Sequence, residues 1–364
     1  MPCGPGAPWV SVPAIATARP AMVGTPKLRP GDRVAVLSPS YGAPAHFPHV
    51  YEQGLARLRD ELGLVPVEFP TTRAAGASAR ERARDIEAAF ADPSVRAVLA
   101  TIGGDDQITV VPHLDPAVLR ADPKPFFGFS DNTNLLNTLF HAGVVSYHGG
   151  SVMMHLGRGG SAHPASMDSL RAALFTEGWY DLSPAAESGD EALNWADPAA
   201  LTRPPRMEPA GGWHWHGPAA AVEGPCWGGN LEIISWLLQA DRVGPAEAFA
   251  GHVLLLETSE EMPPDEEVFR MLRNMGERGL LGRFAAILVG RAKAWNFGQR
   301  NDAAAKAAYR TAQRAAVLRA VEAYAPGAVV VFDLDVGHTD PQLIVPIGNP
   351  VRVDAIARRV SVYY

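Results

Sequence analysis

Five short apolar runs, separated by stretches of helical periodicity, fill the first 150 positions. The run at 33–37 (RVAVL) ends at Ser38-Pro39-Ser40, and 65–69 follows a segment, 50–62, with Leu55, Leu58 and Leu62 on one face. Residues 79–90 read as a helix with Arg and Glu facing out. The run at 97–102 (AVLATI) leads into Gly103-Gly104-Asp105-Asp106. Residues 125–129 end at Ser130, 132–141 read as a helix, and 144–148 as another strand. Strands that alternate with helices predict an α/β fold, a parallel sheet with helices on both faces. The site of such a sheet belongs at the carboxyl ends of its strands.

The remainder divides in two. Residues 177–218 carry Trp179, Trp195, Trp213 and Trp215 among prolines and acids, with no clear period. They read as a linker and a Trp-rich surface loop. From 219 the pattern is mixed. Gly228-Gly229-Asn230 precedes an apolar helix at 231–238, and 252–256 (HVLLL) is a strand ending at Glu257. A helix at 264–276, a strand at 285–289, an Ala-rich helix at 303–324 and a strand at 329–333 follow. The last of these leads to Gly337-His338, and short β segments fill 342–362. The expected organisation is a disordered tail at 1–25, an N-terminal α/β domain at 26–176, the linker and loop at 177–218, and a C-terminal domain at 219–364.

Composition narrows the function classes. A net charge of −7 with interspersed signs lacks the basic stripe that binding to nucleic acid needs. Two cysteines, Cys3 and Cys226, make neither a disulfide framework nor a CxxC zinc site, and a reducing, cytoplasmic setting is expected. No run of about 18 apolar residues suits a membrane span.

Ser130 stands in Gly128-Phe129-Ser130-Asp131, between strand and helix. A serine on such a turn is exposed, and the next residue's N–H faces the same space. Ser130 or Asp131 suits equally the plain role of a cap on the helix that follows. Gly103-Gly104 ends a strand as an ordinary turn does, or points N–H groups at a ligand as the second half of an oxyanion hole. A nucleophilic serine needs a base and an orienting acid. His338 and Glu257 each end a strand, and the order serine, acid, histidine is that of hydrolases. Against this, His338 suits a loop and Glu257 a solvated acidic run with Glu260, Glu261 and Asp265. His214 and His216 have the spacing of metal ligands on one strand face, but no third ligand lies nearby in sequence, and no metal or other cofactor is expected. The tryptophans suit either packing or stacking on a planar ligand.

At these residues the chain resembles the serine peptidases that include LD-carboxypeptidases and the microcin C immunity carboxypeptidases (MccF-like). The matching pieces are KLRPGDRVAVLSPS at 27–40, TIGGDDQ at 101–107, GFSDNTNLL at 128–136, WGGNLEII at 227–234, LLLETSEEMPPDEEVFRML at 254–272 and DVGHTDPQLIVPIG at 335–348. The resemblance implies an N-terminal parallel sheet and a C-terminal domain with a small β-barrel, in a cytoplasmic homodimer without metal. It implies Ser130 as nucleophile, Glu257 as orienting acid and His338 as base, with Asp131 and a glycine of Gly103-Gly104 as oxyanion donors. Family substrates are murein tetrapeptides or an acidic residue joined to a nucleotide in processed microcin C. The Trp-rich stretch resembles the second branch, with Trp195, Trp213 and Trp215 expected on a peptidyl-nucleotide substrate. Murein LD-carboxypeptidase is the alternative enzyme reading. A non-catalytic, two-lobed binding protein is the alternative of another class, and a covalent adduct on Ser130 separates it from an enzyme.

Overall fold

The computed structural model describes residues 20–364, so most of the expected tail lies outside the described residues. Its last part is engaged: Val23 N–H donates to Gly143 and the Val23 carbonyl accepts from Val145. The first sheet takes its strands from the alternating half of the chain. They are β1 (Arg33–Leu37), β2 (Val65–Glu68), β3 (Val95–Ala100), β4 (Phe126–Gly128) and β5 (Ser146–His148), all parallel. Near-continuous Val, Leu and Phe in β1, β3 and β4 suit strands covered on both faces, and their side chains are buried. The helix at Ala79–Ala91 begins where Ser78 and Glu81 cap it reciprocally, and helix Thr133–Ala142 ends at Gly143 with φ 73°.

The later strands are β6 (Trp179–Leu182), β7 (Glu187–Ser188), β8 (Glu208–Pro209), β9 (His214–His216), β10 (Ala221–Asn230), β11 (Val253–Glu257), β12 (Ala286–Gly290), β13 (Val329–Leu334), β14 (Val345–Ile347), β15 (Pro350–Asp354) and β16 (Arg359–Tyr363). Eight of them form one sheet in the order β6-β16-β15-β10-β11-β12-β13-β9. Its centre, β10 to β13, is parallel, and the flanking strands are antiparallel. β10 joins the two regions: Ala221–Pro225 pairs with β15 and Cys226–Asn230 with β11. The sheet is open, with β6 and β9 at its edges, and among the described residues no closed barrel exists where the resemblance implied a small one. Antiparallel hairpins at one end of an open parallel sheet supply the β segments that a barrel would have used.

The stretch expected as linker and loop places β6 and β9 at those edges and pairs β7 with β8. The halves also interlock, because β14 lies antiparallel beside β5 in the first sheet. Trp227 Nε1 donates to Asn137 Oδ1 at 3.1 Å, and Asn137 Nδ2 donates to the Arg242 carbonyl at 2.9 Å. Strand ends from both sheets therefore meet around one cleft.

Candidate active site

Ser130 follows β4 after a single residue, Phe129. Its φ of 61° is rare for a residue with a side chain and marks a sharp turn between strand and helix. The turn leaves no room opposite: a Cβ on Gly103 would stand 2.9 Å from Ser130 Cβ and 3.3 Å from Asp131 N. Gly103 and Gly104 donate their N–H groups to no carbonyl of the described residues. Asp131 is buried and holds the turn together. Its carboxylate accepts from Ser40 Oγ and, at 2.9 Å, from Gln107 N–H, while Asn134 Nδ2 donates to its other oxygen at 2.8 Å. Burial pushes its carboxyl up, against the two hydrogen bonds from Ser40 and Gln107.

Glu257 ends β11 beside Asn230, its register partner at the end of β10. Its side chain is buried, and Oε2 lies 2.6 Å from His338 Nδ1. Close packing brings the loop after β13 onto it. A Cβ on Gly337, whose φ is 87°, would stand 2.6 Å from Glu257 Oε2. His338 also packs edge-on against Phe129, the residue before Ser130, with ring centroids 5.0 Å apart. The expected acid and base are thus in contact, and the base lies against the serine's strand end.

The second ring nitrogen of His338 is occupied. Nε2 lies 3.0 Å from Glu260 Oε2, and no hydrogen bond joins it to Ser130 Oγ. Burial alone would lower the His338 pKa, but the Glu257 and Glu260 carboxylates outweigh it and push it up to about 10. Burial would raise Glu257, but the His338 charge and hydrogen bonds hold it at about 2. Glu260 is held at about 2, first by the His338 charge, against the opposing effect of burial. In this arrangement the imidazole is charged between two carboxylates and has no lone pair to offer.

Two more histidines complete the wall. His148 Nε2, at the end of β5, stands 3.8 Å from Glu257 Oε1, and His155 packs edge-on against Phe129 at 5.6 Å. Burial lowers His155 to about 4 and keeps it neutral. The sequence reading singled out neither of these, nor Ser40 and Glu260. Ser40 carried one usable signal, its place after β1. Glu260 carried none, since it stands in a run of acids.

Trp195, Trp213 and Trp215 are half-buried, and Trp179 is exposed. Trp195 packs edge-on against Phe47 at 5.5 Å, with His49 Nε2 2.7 Å from its carbonyl oxygen. Trp213 Nε1 donates to Asp335 Oδ2 at 3.0 Å, and Trp215 sits in β9 opposite Val331. His214 and His216 are exposed on β9, with His214 Nε2 3.6 Å from Asp333. Among the described residues no group of three His, Cys, Asp or Glu side chains is placed to hold a metal ion.

Two family models match this frame: the LD-carboxypeptidase N-terminal domain over residues 34–149 and the LD-carboxypeptidase C-terminal domain over 223–353. The chain belongs to the LD-carboxypeptidase family. Among curated relatives, a Vibrio cholerae protein named as a carboxypeptidase is 26% identical, covering 89% of this chain and 92% of its own. The microcin C7 self-immunity protein MccF of Escherichia coli is 24% identical, covering 78% of each. The solved structure of MccF in complex with aspartyl sulfamoyl adenosine superposes with a TM-score of 0.79 at 21% identity, covering 93% of this chain and 98% of that one. That likeness shows the fold. Family membership makes the chain a carboxypeptidase-type hydrolase, and no helix of the described residues is long and apolar enough to cross a membrane.

Proposed function

We propose that the protein is a serine carboxypeptidase or amidase that cleaves the amide between an acidic residue and a nucleotide-like group. The 2.6 Å contact between Glu257 and His338, set against the strained turn at Ser130, carries this reading. Glu257 fixes the tautomer of His338 by accepting from Nδ1–H, which leaves Nε2 to take a proton. Glu260 must first swing off Nε2, and the imidazolium must release its Nε2 proton to water, before the ring has a lone pair to offer. His338 then accepts the Ser130 hydroxyl proton as Oγ attacks the carbonyl carbon. The oxygen of the tetrahedral intermediate lies against the N–H of Asp131 and of Gly103 or Gly104. His338 hands the proton to the leaving nitrogen, and an acyl-enzyme on Ser130 remains. Water, deprotonated by His338, then releases the acid.

For the substrate class, two things support a nucleotide over a murein peptide. The relative MccF is known as a microcin C7 self-immunity protein and was solved with aspartyl sulfamoyl adenosine. Trp195, Trp213 and Trp215 keep part of their surface open, and an aromatic face stacks on a base at about 1–3 kcal/mol in nucleic-acid binders. Murein peptide offers no ring to stack. The test is a side-by-side assay of an aspartyl-nucleotide amide and murein tetrapeptide. A higher kcat/KM for the nucleotide is expected, with Trp195→Ala raising KM for it and leaving peptide hydrolysis nearly unchanged. Far higher kcat/KM for tetrapeptide would replace this substrate by the murein one. Slow binding of both without turnover would leave a two-lobed binding protein.

A further inference from the structure

Lys293 follows β12 in Gly290-Arg291-Ala292-Lys293, at the same carboxyl edge of the sheet as Glu257 and His338. It is 6% exposed, and its ammonium donates to the His338 carbonyl at 3.3 Å. Burying an ammonium is costly unless a carboxylate faces it closely. The neighbouring cations all have such partners. Lys306 and Arg310 each stand 2.8 Å from Asp190, Arg158 stands 2.7 Å from Asp340, and Arg291 stands 3.0 Å from Asp335. Lys293 alone of this cluster has no carboxylate oxygen within 4.0 Å among the described residues. Burial accordingly lowers its pKa, against the more distant pull of Glu260, Asp190 and Asp340.

Of those three acids, Asp190 and Asp340 are already committed to other cations, and the third, Glu260, is on loan. Its side chain is 58% exposed, and it sits on the nitrogen that the reaction needs. Once Glu260 leaves His338, the charge that faced both His338 and Lys293 is gone. A negative group arriving with the substrate would restore it.

We propose that Lys293 is a specificity-determining residue that receives a carboxylate of the substrate, in the place the Glu260 carboxylate keeps in the resting enzyme. The inference rests on the hydrolase reading above and names the group that reading leaves open. Two carboxylates fit this chemistry: the side chain of an acidic residue joined to a nucleotide, and the free C-terminus of a peptide. A rival role, in which Lys293 merely props the His338 carbonyl, predicts no dependence on substrate charge.

The experiment measures kcat and KM of the whole chain on two matched pairs. One is an aspartyl-adenosine amide beside its asparaginyl counterpart, and the other is murein tetrapeptide beside its C-terminally amidated form. Wild-type enzyme should prefer the carboxylate-bearing member of one pair by on the order of 10²-fold in kcat/KM, and that pair names the source. Lys293→Met should abolish the preference by raising KM for the charged member, with its kcat and the neutral member little changed. Lys293→Arg should keep most of it. Turnover of both members alike in both pairs overturns the proposal while leaving the hydrolase reading standing, and the wild-type comparison decides this without any variant. A Lys293→Met enzyme that loses kcat equally on charged and neutral substrates also overturns it. If wild type turns over none of the four, the hydrolase reading fails and the inference falls with it.

Discussion

The His338 imidazole, shared between two carboxylates, sets the chemistry of the resting site. An imidazole whose folded pKa is pushed to about 10 is charged through neutral pH and cannot act as a base while Glu260 holds Nε2. Glu257, Glu260, Lys293, His148 and His155 surround it, and Glu260 is the exposed member. Glu260→Gln should therefore shift the acid limb of kcat/KM to lower pH, by about 1–3 pH units for loss of one adjacent opposite charge. A pH–rate profile unchanged by the variant would show that Glu260 has already left His338 in the working enzyme. Glu257→Gln should act differently, lowering kcat on the order of 10⁴-fold with KM little changed, because the tautomer of His338 is no longer held. The same groups make stability depend on pH. Glu257, depressed from 4.5 to about 2, contributes stability that is complete above 4.5 and lost as pH falls towards 2. His338, raised from 6.5 to about 10, contributes stability that is complete below 6.5 and lost as pH rises through 10. Melting temperatures should thus peak between about pH 4.5 and 6.5 for this cluster, and His338→Gln should flatten the alkaline fall.

At the scale of elements, strand ends do the positioning, and strand ends were what the sequence displayed best. Each buried run in β1, β3, β4, β11 and β13 stops at small or polar residues, so the sequence marks Gly103, Ser130, Glu257 and His338 as strand-end residues, while which strands share a sheet does not show in the pattern. β10 was hidden, because Gly224-Pro225 and Gly228-Gly229 break its apolar pattern. β6 and β9 were hidden for the opposite reason: at sheet edges, half-exposed tryptophans need no strict alternation. Glu260 and Lys293 were illegible because nothing in a linear run of charges tells which one folds back onto a histidine. The tight loop after β13 is open to test. Gly337→Ala should destabilise the fold by at least about 1–2 kcal/mol, since its φ of 87° is unfavourable for alanine, and should cut kcat by displacing Glu257 from His338. Thermal unfolding together with kinetics checks it; a variant with wild-type melting temperature and rate would mean that the loop yields freely.

The whole molecule brings a serine from one sheet to an acid and a base from another, and the two sheets are not separable. β14, from the end of the chain, covers the β5 edge of the first sheet, and Asn137 ties helix Thr133–Ala142 to Trp227 and Arg242. A fragment that stops at residue 218 exposes that edge and should aggregate or unfold at lower temperature, with the missing half restoring solubility when co-expressed. A soluble, cooperatively folding fragment would show that β14 is dispensable. The parallel sheet of the first half was plain from alternation alone, whereas this exchange of a strand between halves leaves no trace in composition or period. What the assembled cleft is for comes down to one oxygen atom. Incubating the enzyme with a fluorophosphonate, then measuring intact mass and mapping the modified peptide, tests it most directly. A single adduct on Ser130 is expected, absent in Ser130→Ala, whose kcat should fall on the order of 10⁶-fold while its melting temperature stays close to wild type. An adduct on another residue, or a Ser130→Ala enzyme that keeps most of its activity, would contradict it.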